Sequence, residues 1–294
     1  MQTPAYVDFQ YTANTQLSMI GLIPTFQGIG QLIGSLVNIL FKWINRQLCL
    51  CLSVLLMTLT TILFPWANTL CQLWLLGFLY GLGSGCWVVS NNVVLIELWK
   101  HRSPTILLLC HTLWGLGSIL GPLVVSLYII GNDVCPGVTQ QECSKHMIES
   151  NSRCNYLCLT YDRRPLLKMP FLFGGLVYLL GLICLFIMFF VRRYHYVEND
   201  LITKKNQLEN TKHKEMDRRL KYIPKWTLLI CVSIILLFGI SAENLYNSFA
   251  ATFFQYQPVL HISAPKASVI TSSMNGAFTF GRILLYFNCW VKTN

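Results

Sequence analysis

The chain has 294 residues, is 54% hydrophobic and only 12% charged, and carries 17 Phe and 8 Trp. Such a composition leaves no segment for a soluble domain, since the longest non-apolar stretches are the loops around 131–168 and 192–223. The net charge of +10 follows from membrane topology and attraction to anionic headgroups, so nucleic acid is not an expected partner.

A hydrocarbon core about 30 Å thick takes roughly 20 apolar residues of helix to cross. Seven stretches meet that length, at about 18–41, 48–67, 70–98, 104–130, 169–191, 224–250 and 267–290. The predicted fold class is therefore all-α, a polytopic membrane helix bundle. The first 17 residues hold no Lys or Arg and no apolar core, so no signal peptide is expected. In the first span Gln27 and Gln31 are four residues apart, with Asn38 three turns on from Gln27. Gly30 and Gly34 give the same span a close-packing stripe, as do Gly77, Gly81 and Gly85 in the third and Gly117 and Gly121 in the fourth. The third span also carries Ser84, Trp87, Asn91 and Asn92, and the fourth carries His111, Trp114 and Ser118 on one face.

The loop at 131–168 holds Cys135, Cys143, Cys154 and Cys158. It is polar and assigned to an oxidising compartment, so two disulfides are expected, with three pairings open. The spacing does not match a zinc site, and no metal centre is expected. Residues 192–221 hold nine basic and five acidic side chains and read as a cytoplasmic linker. Beyond it, the sixth span carries Glu243 with Tyr246 and Asn247 one turn on, and the seventh carries Arg282 near its cytoplasmic end.

Counting Lys and Arg loop by loop gives 14 on the side of 42–47, 99–103 and 192–225, against 6 on the other. The positive-inside rule places the richer side in the cytoplasm and the 131–168 loop outside. Polar groups within spans avoid lipid, so the stripes should face inward or line water. Amides and indoles suit a polyhydroxylated solute, because amides pair with hydroxyls and indole rings stack on C–H faces. Asn and Gln in spans also serve simply to bond a neighbouring helix. Glu243 stands apart as the carboxylate deep in a span, a place where ionisable groups are usually functional. No HExxH, GxSxG, Walker or GxGxxG pattern appears, so neither an enzyme nor a cofactor is expected.

Several stretches together resemble the major facilitator superfamily, and within it the sodium-dependent glucose transporter 1-like branch. They are Asn92-Val-Val-Leu-Ile-Glu-Leu-Trp99, His111 with Gly115, Gly117 and Pro122, Gly239-Ile-Ser-Ala-Glu243, and Ser273-Met-Asn-Gly-Ala-Phe-Thr-Phe-Gly-Arg282. The resemblance implies that the seven spans are helices two to eight of a twelve-helix fold, incomplete as written. Residues 1–191 would then belong to the first half, 192–223 would link the halves, and 224–294 would begin the second. The superfamily loop after helix two usually carries Gly, Asp, Arg and a final basic residue, where this chain has Asn38, Lys42, Trp43 and Arg46. Its branch also tends to carry an acidic residue where Val88 stands here.

The resemblance implies a transporter of a small neutral solute, most naturally glucose, working by alternating access in the plasma membrane. Gln27, Gln31, Asn91, Asn92 and Trp114 are the expected substrate-facing groups. Glu243, His111 and Asn247 are the expected coupling groups, for sodium at oxygen ligands or for a proton, with facilitative transport without a coupling ion left open. One alternative is a truncated membrane protein that acts by helix–helix pairing without transport. A seven-span receptor is more distant, since no Asp-Arg-Tyr follows the third span and no Asn-Pro-x-x-Tyr lies in the seventh.

Overall fold

The computed structural model describes residues 2–131, 163–191, 225–257 and 262–293. Within them the elements are helical, in the order α1 (Tyr6–Thr12), α2 (Leu17–Ile20), α3 (Ile23–Ser35), α4 (Arg46–Leu63), α5 (Leu70–Trp99), α6 (Ser103–Ser126), α7 (Arg164–Val191), α8 (Lys225–Tyr256) and α9 (Ala264–Thr293). No strand occurs among the described residues. The four cysteines of the 131–168 loop and the 192–221 charge run lie outside the described residues.

Helix ends follow local chemistry. Asn45 caps α4 by accepting from the Gln47 N–H at 2.8 Å. Thr69 and Gln72 form a reciprocal capping box at the start of α5. Pro65 sits in the 3₁₀ turn Phe64–Trp66 that closes α4. The first span is not the single helix expected over 18–41. It breaks after Ile20, restarts at Ile23 with Pro24 in its first turn, and tightens into a 3₁₀ stretch at Leu36–Lys42. Proline has no N–H to give, so it is favoured at a helix start, where that group would have no helical partner.

Among the described residues six stretches are long and apolar enough to cross a membrane: Leu17–Ser35, Arg46–Trp66, Leu70–Trp99, Ser103–Ser126, Arg164–Val191 and Trp226–Tyr256. The seventh expected span, 267–290, is a 30-residue helix but is not among them. At 1.5 Å per residue α9 is about 45 Å long, so length is not what it lacks. Its Ser268, Thr271, Ser272, Ser273, Asn275, Thr279 and Arg282 make it polar along one side.

The chain divides into two compact units, Met1–Arg193 with Ser248–Asn294, and Tyr194–Asn247. The described part of the second unit is the first stretch of α8, an apolar helix carrying Trp226, Ile235 and Phe238. In the first unit α3 packs along α5, α4 lies between α5 and α7, and α9 runs along α6. Buried hydroxyls of α4 need no outside partner. Ser53, Thr58, Thr60 and Thr61 each donate to a carbonyl three or four residues back. At the end that the charge count places outside, Phe9, Phe64 and Phe171 pack with centroids 5.5–6.0 Å apart. Ala5, Leu73, Val125, Leu167 and Ala264 complete that buried cluster.

The α6–α9 seam as candidate functional site

Pro122 lies inside α6 and cannot donate to the carbonyl of Ser118, four residues back. That carbonyl accepts instead from Asn275 Nδ2 of α9 at 3.3 Å. One turn further along α6 and two turns back along it the pattern repeats. Ser268 Oγ donates to the Pro122 carbonyl at 2.7 Å, and Arg282 donates to the His111 carbonyl at 3.4 Å. Between them Thr279 packs over Gly115, where a side chain on the glycine would meet the Thr279 methyl. The Arg282 guanidinium sits 4.3 Å from the Phe278 ring centroid and 5.1 Å from that of Trp114. Cation–π contact lets a charge remain in an apolar bundle at low cost. Trp114 still shows 49% of its surface, so its ring is not enclosed.

The face of α6 that carries His111, Trp114 and Ser118 is thus the face that meets α9. Periodicity within the spans does not single out Asn275, Ser268 or Thr279. Pro122 was the available signal, because a proline within a span leaves a carbonyl open for a donor on a neighbour. Gly115 lies against α9, whereas Gly117, one of the expected stripe, has nothing within 4 Å of where a side chain would begin.

The remaining expected residues fall in two other places. The main chain of Gln27 and Gln31 lies directly against Gly81 and Gly85 of α5, and Gly30 and Gly34 lie against the backbone at Phe78 and Leu82. Gln27 is half-buried and Gln31 exposed. Asn92 falls seven residues after Gly85, on the line of α5 that faces α3, and Asn91 seven after Ser84, on an adjacent line. Both asparagines are half-buried. Trp87 does not join the polar stripe but packs with Cys51, Val54 and Leu182 between α4 and α7. Glu243 and Asn247 sit one turn apart on α8, both half-buried, in the separately described unit. Asn38 falls in the Leu36–Lys42 3₁₀ stretch.

Two ion pairs were not anticipated. Arg46 at the start of α4 bonds Glu97 near the end of α5, each about one fifth exposed, with the Phe41 ring 5.6 Å from the guanidinium. At the opposite end Asp8 and Arg163 pair at 2.7 Å with both side chains 1% exposed. Neither Asp8 nor Arg163 belongs to a long apolar span, which is why a search for polar residues within spans passes over them.

A model of the Major Facilitator Superfamily matches residues 1–287. The chain belongs to this superfamily. Like other members of this transporter family, it is an integral multi-pass membrane protein. It is 29% identical over 125 residues to sodium-dependent glucose transporter 1 of Rattus norvegicus, and 23% identical to the protein of that name from Xenopus laevis. It is 26% identical to sodium-dependent glucose transporter 1A of Mus musculus. The matched segment is 42% of this chain in each case, and 26%, 26% and 29% of the respective relatives. The chain thus spans little more than a quarter of the length of these curated relatives. No solved structure matches it significantly.

Proposed function

We propose that the chain takes part in moving a small neutral hydroxylated solute, a hexose such as glucose in the first place, across the plasma membrane by alternating access. The observation that carries this reading is the α6–α9 seam of a transporter-family chain. There an indole and an amide lie within the bundle, and the indole remains half-open. Trp114 would stack on the apolar face of a sugar ring, while Gln27, Gln31, Asn91 and Asn92 would pair with hydroxyls. Glu243 and Asn247, one turn apart on α8, offer oxygen ligands for sodium, and Glu243 or His111 would serve a proton-coupled variant. Sodium is named in the relatives, which supports the first of these.

The test is labelled glucose uptake into cells expressing the chain, with sodium and with sodium replaced by choline. Expected is saturable uptake that sodium accelerates and that Glu243→Gln makes sodium-independent. Uptake that is sodium-independent in the parent would remove the coupling role of Glu243. Absence of any uptake by a chain that inserts normally would favour the non-transporting, helix-pairing reading.

A further inference from the structure

Arg163 ties three separate pieces of chain together at the outer end. It donates to Asp8 Oδ1 at 2.7 Å and to the Gly131 carbonyl at 2.5 Å. The Gly131 N–H completes the knot by donating to both Asp8 oxygens, at 3.1 and 3.2 Å. The Tyr11 ring lies 3.8 Å from the guanidinium. With both charges 1% exposed, each depends on the other to remain buried. Both main-chain polar groups of Gly131 are therefore held by this one pair.

Gly131 adopts a left-handed conformation, φ 62°, which glycine alone takes without strain. The missing side chain matters as much as the backbone freedom. A Cβ here would collide with the Ala264 methyl and come within 2.6 Å of Gln255 Oε1. Gln255 lies at the end of α8 and Ala264 begins α9, so these two helix ends, together the α8–α9 corner, rest on the glycine. The Tyr256 hydroxyl donates to Gln10 Oε1 at 3.5 Å, and Ala264 is buried among Ala5, Phe9 and Phe64.

We propose that Gly131, pinned by Asp8 and Arg163, is a seat for the α8–α9 corner, and that lifting the corner from this seat opens the outer end of the molecule. The contact has the character of one made to be released. Both polar atoms of the Gln255 amide are buried and have no hydrogen-bond partner among the described residues. A buried amide in that state is destabilising, and lifting the corner returns it to water. The Tyr256 bond is long and Tyr256 is 42% exposed, so it adds little to the closure. The ion pair, by contrast, stays within the first-half elements and is not broken by the movement. Only the purpose of the release rests on the alternating-access reading.

Ser272 supplies a reporter. It is 2% exposed, its hydroxyl has no hydrogen-bond partner among the described residues, and it lies on α9, so Ser272→Cys changes little in the closed form. The rate at which an impermeant methanethiosulfonate labels this cysteine from outside is read in intact cells, above the background of the chain without it. Gly131→Ala should raise that rate about tenfold by wedging the corner off. Gln255→Leu should lower it, because it removes the buried amide and keeps the volume. Tyr256→Phe, which deletes a single hydroxyl, should raise it about twofold and serves if Gly131→Ala fails to insert. A rate unchanged by both Tyr256→Phe and Gly131→Ala, or raised by Gln255→Leu, would overturn the seat. The labelling requires no uptake, so a chain that fails to carry glucose still reports whether the corner lifts.

Discussion

Asp8 shows how burial and pairing compete at a single residue. Burial pushes its carboxyl above the ordinary carboxylate range, and Arg163 with the main-chain N–H groups pulls the other way without overcoming it. A carboxyl raised in the native state contributes stability that is fully present below its unfolded pKa, and loses it as pH rises through the native value. The other titratable groups at this site are Arg163 on the α7 side, Tyr6 and Tyr11 on its own segment, and Tyr256 from α8. Thermal stability of the detergent-solubilised chain should therefore fall as pH rises from about 4, and the slope should flatten in Asp8→Asn. At neutral pH Arg163→Met leaves the Asp8 carboxylate buried without its partner and should cost about 3–5 kcal/mol. Asp8→Asn combined with Arg163→Met should recover much of that loss in the same melting experiment. A single mutant that melts like the parent would show the pair to be energetically idle.

Among elements, α3 and α5 are held by close approach of their backbones. Side chains added at Gly81 or Gly85 would run into the carbonyls of Gln27 and Gln31, while Gly28 on the same helix as those glutamines has open space around it. Gly81→Ala should destabilise the chain by about 1–3 kcal/mol through overpacking. Gly28→Ala should leave it unchanged or slightly firmer, since alanine is the better helix former. Equal melting temperatures for the two variants would contradict the packing described. The spacing of these glycines was legible in the sequence because close helix approach in lipid requires small residues at every fourth position. Which glycines are used was not legible. Gly117 fits the spacing yet touches nothing, and Gly115 outside the stripe meets Thr279. Trp87 was likewise misplaced, since periodicity groups it with Ser84 and Asn91 but an indole fills apolar space between α4 and α7 as readily.

At the scale of the whole molecule, the apolar runs pointed to the membrane fold directly, and family membership agrees with it. Less visible were α9, whose polar side answers to carbonyls of α6, and the Asp8–Arg163 tie between segments 155 residues apart. Contacts of that kind depend on tertiary geometry and leave no local period. The sidedness assignment has its own test. Trp43 is 76% exposed on the basic side, so a Trp43→Cys probe should resist impermeant thiol reagents in intact cells and react after permeabilisation. Labelling without permeabilisation would invert the assignment.

The open carbonyl of Ser118 has one more consequence. The three donors described across the seam, Ser268, Asn275 and Arg282, belong to α9 and bond main-chain carbonyls of α6, which repeat every residue and by themselves fix no register. Pro122 breaks that degeneracy by leaving one carbonyl vacant of its own helical bond. It acts as an index mark, telling α9 where along α6 to stop. Replacing this proline would remove that mark and let one helix slip along the other while both remained folded.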